Sequence, residues 1–256
     1  MSKINRRKFV FSAAGLTALA SLVPAGDVLA SSISKNQNRT GRQIKLKGKE
    51  SSGIKHWDLI TIGNLSRNKY WGESDEKPLR SAICTCTMIR GENFCMIVDP
   101  SLKDETAMAT ELDRRTGFSP DEINAVFITH QHDDHLYGLR HFKKARWYAG
   151  PEVAAAINKS GKFETQVETA GKVLFGEIDV IPMFGHTSDH FGLRFDHNGY
   201  SVVIAGDSVA TRDYWDGGQM YYNVNDMEES KKTFSMIRSI ADIIVPGHDN
   251  YFLNLT

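Results

Sequence analysis

Ala125-Val126-Phe127-Ile128-Thr129-His130-Gln131-His132-Asp133-Asp134-His135 is the stretch that decides the fold. Its four leading apolar residues read as a short strand of the kind buried on both faces. Polar residues follow at once, and His130, His132, Asp134 and His135 stand at positions i, i+2, i+4 and i+5. That spacing brings two imidazoles to one side and a carboxylate with a third imidazole to the other. Neutral imidazole and carboxylate are ligands that zinc and similar divalent ions prefer, and a loop leaving a strand end can hold them in register. An accidental histidine tract would not be framed by Val126-Phe127-Ile128 and a following Leu136-Tyr137-Gly138-Leu139. These four residues are therefore candidate metal ligands.

Outward from this loop the chain alternates short apolar runs with amphipathic ones. Asp58 to Ile62, Ala82 to Ile89 and Phe94 to Val98 read as strands, the last two joined as a hairpin across Gly91-Glu92-Asn93. Lys103 to Arg115 carries Ala107, Met108, Glu111 and Leu112 at helical spacing, with Gly117 where a helix would stop. Further strands are predicted at Arg146 to Ala149, near Val173, Ile178, Phe191 and Val202, and at Ile243 to Val245. Helices are predicted from Pro151 to about Asn158 and after a capping Asp226. Strands and helices mixed over about 200 residues, without a repeat or a second linker, predict one α/β sandwich.

Composition narrows the partners. The 256 residues hold 31 Lys and Arg against 31 Asp and Glu, but residues 51–256 hold 21 bases and 29 acids, a net of −8. Phosphate backbones are bound by Lys and Arg that displace counterions, so nucleic acid is not expected as a partner. Nothing after residue 30 approaches the roughly 18 apolar residues of a membrane span. Three cysteines, Cys84, Cys86 and Cys95, are too few for a disulfide framework or a thiolate zinc site. Cys84 and Cys86 alternate onto one strand face as small buried hydrophobes, and a disulfide to Cys95 would need one particular hairpin register.

Residues 1–30 read as an address and not as part of the fold. Asn5-Arg6-Arg7-Lys8-Phe9-Val10 precedes a mildly apolar run, Phe11 to Val23, closed by Pro24, and Val28-Leu29-Ala30 resembles a cleavage site. The segment resembles a twin-arginine signal peptide, although Asn5 and Phe11 depart from the usual Ser/Thr and Lys. It implies a periplasmic or extracellular location after export. Residues 31–54, polar and Lys-rich, read as a flexible linker, leaving 55–256 as the catalytic domain.

The chain resembles the metallo-β-lactamase-fold hydrolases, whose HxHxDH loop matches His130, His132, Asp134 and His135. Further motifs follow in the family's order: Asp99 in Ile97-Val98-Asp99-Pro100, Pro120-Asp121-Glu122-Ile123 ahead of the motif strand, His186 in Gly185-His186-Thr187, Asp207 in Gly206-Asp207-Ser208, and His248 in Pro246-Gly247-His248-Asp249. The resemblance implies an αββα sandwich with a dinuclear site at one edge of its two sheets. It places His130, His132 and His186 on the first metal, Asp134, His135 and His248 on the second, Asp207 between them and Asp99 in support. His190 matches no ligand position, and His56, His141 and His197 read as solvated. The cofactors implied are two divalent metal ions, zinc foremost, with iron and manganese as alternatives. The nucleophile implied is a metal-bound hydroxide, with Asp134 and Asp207 as the catalytic carboxylates.

Departures from relatives restrict the reaction. Flavodiiron oxidoreductases carry Glu at the place of His132 and a flavin module. Many metallo-β-lactamases lack the bridging aspartate that Asp207 supplies. Glyoxalase II carries a helical C-terminal region that eight residues after His248 cannot hold, and nucleases of this fold carry an added domain. Acyl-homoserine lactonases place a tyrosine three positions after the bridging aspartate, where this chain has Ala210. Tyr137 replaces a usual glycine and is expected to narrow the cleft. Aromatic residues at Tyr70 and Trp71, and at Tyr214, Trp215, Tyr221 and Tyr222, are expected at the cleft rim, with core packing or the face of a homo-oligomer as the alternatives. An apolar-walled cleft suits a small-molecule substrate, an ester, lactone, thioester or amide. A phosphodiesterase or β-lactamase-like activity is the alternative.

Overall fold

Short apolar runs whose side chains alternate between two buried faces build a pair of sheets. The computed structural model describes residues 53–255 except 75, 219 and 221–223. The first sheet contains β1 (His56–Thr61), β2 (Cys86–Arg90), β3 (Cys95–Val98), β4 (Ala125–Ile128), β5 (Arg146–Ala149) and β6 (Val167–Thr169), hydrogen-bonded in that order. The second contains β7 (Val173–Leu174), β8 (Ile178–Pro182), β9 (Phe191–His197), β10 (Tyr200–Gly206), β11 (Ile243–Pro246) and β12 (Phe252–Leu253), ordered β12-β11-β10-β9-β8-β7. The helices are α1 (Glu105–Thr116), α2 (Asp133–Leu136), α3 (Pro151–Ser160), α4 (Arg212–Asp216) and α5 (Met227–Ile240).

Period-two alternation explains the layers. In β4, Val126 and Ile128 join Met108 and Leu112 of α1 and Val153 and Ile157 of α3 in one core. Ala125 and Phe127 face the opposite way, toward Leu193, Phe195, Val202 and Ile204 of the second sheet. In β10 the same alternation sends Val203 and Ala205 into a third core with Phe234 and Ile237 of α5. The result is helix, sheet, sheet, helix, the αββα sandwich that the resemblance implies. Helix ends obey local chemistry: Asp104 caps α1 by accepting from Ala107 N at 2.7 Å, and Gly117 ends it at φ 76°.

Three details differ from the sequence reading. Tyr214 and Trp215 are 1% and 2% exposed and take the core-packing alternative instead of the rim, because α4 buries that face against Phe234 and Phe252. Ile54, assigned above to the linker, is buried in the inter-sheet core, with its carbonyl 3.2 Å from His197 Nδ1. His141 and His197 are part-buried and face backbone carbonyls, whereas His56 is exposed. Cys95 lies opposite Arg90 in the β2–β3 register, so no cysteine stands across from it and all three thiols are free. Tyr221, Tyr222 and the segment 1–52, with its signal-like motif, lie outside the described residues. Among the described residues no helix is long and apolar enough to cross a membrane.

Candidate metal centre

The strands deliver their following residues to one edge. Asp99 follows β3, His130 follows β4, Asp207 follows β10 and His248 comes two residues after β11; His186 and His190 lie between β8 and β9. Parallel pairing of β3 with β4 and of β10 with β11 is what puts these four carboxyl ends at the same level. His132 precedes α2, whose single turn carries Asp134 and His135.

Two groups of side chains result. His130, His132, His186 and Asp207 offer ligand atoms within 4.8 Å of one another, and so do Asp134, His135 and His248. His132 Nδ1 lies 2.9 Å from His130 Nε2 and 3.1 Å from His186 Nε2. Asp207 Oδ2 is 3.3 Å from His186 Nε2 and 3.9 Å from His130 Nε2. Its other oxygen, Oδ1, is 3.1 Å from both His135 Nε2 and His248 Nε2. Asp134 Oδ2 stands 3.5 Å from His248 Nε2. His248 Nε2 is also 3.3 Å from Asp207 Oδ2, so the Asp207 carboxylate stands between the groups, with Oδ2 facing the first and Oδ1 closest to the second.

The outward nitrogens of His130, His135 and His248 settle which tautomer these three take. His248 Nδ1 lies 3.1 Å from Asn64 O and 3.0 Å from Ile83 O, so it carries the proton and donates to those carbonyls. His135 Nδ1 faces Asp99 Oδ2 at 2.9 Å and donates likewise. Thr129 Oγ1 gives its proton to Asp99 Oδ2 at 2.7 Å and accepts from His130 Nδ1 at 3.0 Å. Each of these three residues therefore keeps Nε2 as a bare lone pair directed inward, the arrangement that orients metal-ligating imidazoles. Asp99 supports both groups at once, and it does so at φ 51°, a left-handed conformation that Asp tolerates better than most residues.

Lone pairs pressed together need a cation. His135 Nε2 and Asp207 Oδ1 are buried and make no hydrogen bond despite their 3.1 Å separation. Donors about 2.0–2.1 Å from a tetrahedral ion stand roughly 3.3 Å apart, close to the spacings here. The donor set therefore fits two divalent ions. Burial pushes the His186 imidazole down to about 4 and His130 well below its ordinary value, so both are neutral and free to coordinate. Burial opposes charge on His135 and His248 as well, but Cys84 and then Asp207 lift the first and Asp207 lifts the second, so an ion bound at their inward nitrogens would displace a proton. Burial would raise Asp207, yet His248 and His135 hold it well below the usual carboxylate range.

Glycines make room for this carboxylate. A Cβ on Gly247 would lie 2.0 Å from Asp207 Oδ1, and Gly206 turns the chain into Asp207 at φ 49° and ψ −145°, where side chains are strained. All seven ligand candidates read from the sequence fall in these two groups. Tyr137 lies outside them, under Lys103 Nζ at 3.8 Å from its ring centroid. Cys84 is buried with its Sγ 3.2 Å from Asp134 O, and burial pushes its thiol up to about 12. Sequence reasoning assigned no role to His190, yet the structure stacks its ring on His130 at 4.9 Å. Its position four residues after His186 was the available signal.

The fold and these ligand groups define a metallohydrolase-type scaffold. The metallo-β-lactamase superfamily profile matches residues 80–248, and the chain belongs to that superfamily. It is 31% identical over 129 residues to a hydroxyacylglutathione hydrolase of Aeromonas salmonicida, covering 48% of this chain and 45% of that protein. It is 32% identical over 139 residues to metallo-beta-lactamase IND-1 of Chryseobacterium indologenes, covering 50% and 56%. The chain thus matches about half the length of these relatives. Among solved structures, an N-acyl homoserine lactone hydrolase superimposes with a TM-score of 0.57 at 16% identity, over 78% of this chain and 94% of that one. At that identity the likeness speaks for the fold.

Proposed function

We propose that this chain is a dinuclear metal-dependent hydrolase that cleaves a small ester, lactone, thioester or amide. The observation that carries the reading is the position of Asp207 between the groups, with Oδ2 toward His186 and His130, Oδ1 toward His135, and His248 Nε2 at 3.1 and 3.3 Å from Oδ1 and Oδ2. Two ions in these groups would polarise a substrate carbonyl oxygen and make water acidic enough to attack near neutral pH. The chain's own part is placement: Asp99 and the Asn64 and Ile83 carbonyls fix the imidazoles, and Asp207 fixes the separation of the two groups. Asp134 is the more open carboxylate, its side chain 15% exposed against 7% for Asp207. It is the group assigned to receive the proton of the attacking water and return it to the departing oxygen, sulfur or nitrogen.

The relatives support an acyl substrate. One is a hydroxyacylglutathione hydrolase, another a β-lactamase, and the structural neighbour is described with N-hexanoyl-L-homoserine bound at its catalytic metal centre. Zinc is the ion proposed, on the all-nitrogen-and-oxygen donor set. The twin-arginine-like segment supports a place of action outside the inner membrane. A panel of lactones, thioesters, esters, β-lactams and phosphodiesters, assayed at defined metal content, tests the reading. Turnover of an acyl substrate is expected at about two ions per chain by elemental analysis. Phosphodiester cleavage without acyl cleavage would overturn it.

A further inference from the structure

We propose that His190 is a positioning residue for the first metal group, holding the His130 ring by a flat contact and the Gly206–Asp207 turn by its Nε2–Cε1 edge. The inference rests on the dinuclear reading and deepens it by giving a task to the one buried imidazole that the ligand set does not use.

His190 is 0% exposed, and neither Nδ1 nor Nε2 has a hydrogen-bond partner among the described residues. Its ring lies over His130 with centroids 4.9 Å apart and planes inclined by 27°, whereas it meets His186 at 6.2 Å and 80°. The flat contact is thus with one ligand only. At the Nε2–Cε1 edge of the ring a Cβ at Gly206 would come within 2.8 Å of His190 Nε2 and 3.0 Å of Cε1. The imidazole therefore fills the space above the glycine whose unusual backbone aims Asp207 inward.

The ring's own seat is fixed by main chain. Met183 N donates to His190 O at 2.9 Å, and Phe191 N donates to Thr129 O at 3.0 Å, next to His130. A wedge anchored in this way limits both the rotation of His130 and the travel of Asp207 Oδ2, the two donors of the first group that it touches directly or through Gly206. Asp134, His135 and His248 make no ring stack with it among the described contacts. A buried imidazole without partners is costly for the fold. An apolar residue of similar volume would be cheaper, so stability alone does not account for histidine here.

That contrast supplies the test. His190→Leu removes two unsatisfied nitrogens and the flat face while filling most of the volume; His190→Asn is a second, smaller replacement. Full-length protein, freed of metal and then loaded stepwise with Co2+, is followed by visible absorption and by competition with a chelator. The first ion should bind tenfold to a hundredfold more weakly in both variants, the loss typical of removing a group that orients a ligand. The second ion should lose less, and the metal-free Leu variant should melt no lower than the parent. Binding of the first ion within about threefold of the parent in both variants would overturn the proposal, as would a parallel loss of metal-free stability and affinity. Failure of the unaltered protein to take up two ions would instead overturn the dinuclear reading.

Discussion

Asp207 carries more of the centre than any other side chain, since its carboxylate stands within 3.9 Å of His130, His135, His186 and His248, residues of both groups. Replacing it with Ala should lower the metal content measured by elemental analysis and reduce turnover more than about a hundredfold. Thr129 tests the support behind it. Thr129→Val keeps the shape but removes the hydroxyl between Asp99 and His130, and should weaken the first ion about tenfold in a chelator competition. Cysteine chemistry gives an independent check on burial. Cys84 and Cys86 are buried with thiols pushed upward by desolvation, whereas Cys95 is part-exposed. Iodoacetamide at pH 8 should therefore label Cys95 first in the folded protein and all three after denaturation, as read by mass spectrometry. The seven ligand candidates were legible because each sits in a short motif with recognisable flanks. His190 was not, since its burial and its stacking partner arise only when the β8–β9 connection folds back over β4.

At the scale of elements, wholly apolar runs framed by polar residues were legible, and short pieces of mixed character were not. β4 was read at its observed bounds, because four apolar residues between polar neighbours admit little else. α4, β6 and β12 span five, three and two residues, too short to show a hydrophobic period, and α4 hid Tyr214 and Trp215 in the core. The start of α5 has a role beyond its own stability. Asp226 accepts from Glu228 N and Glu229 N, while Asn225 N and Asp226 N donate to Gly185 O beside His186. Asp226→Ala should cost about 1 kcal/mol in denaturant unfolding. The segment between β1 and β2 is held at its tip by Asp213 of α4, which accepts from Trp71 Nε1 at 2.9 Å and Asn68 Nδ2 at 3.2 Å. Asp213→Ala should speed limited proteolysis within residues 64–83 and leave the melting of the rest little changed.

Across the whole molecule, the αββα architecture was legible through the resemblance that the ordered motifs carry, whereas the sheet order, set by pairings such as β3 with β4 and β10 with β11, was not read from the sequence. The twin-arginine-like reading of residues 1–30 falls outside the described residues and stands as a proposal with its own test. Arg6→Lys with Arg7→Lys should leave a folded protein in the cytoplasm with residues 1–30 attached, if planar guanidinium groups are what the export receptor reads. Cell fractionation with N-terminal sequencing checks this, and export at parental efficiency would contradict it. The proton on His248 Nδ1 has a further consequence, in the timing of assembly. It joins residues 184 and 165 positions apart in the chain, Asn64 and Ile83, to the last ligand. Contacts of such separation are entropically dear to close and form late. Coordination by His248 thus becomes a stopwatch for refolding: cobalt colour from the second ion should appear no earlier than the last of the β-structure seen by circular dichroism, however early the His130–His135 loop has formed.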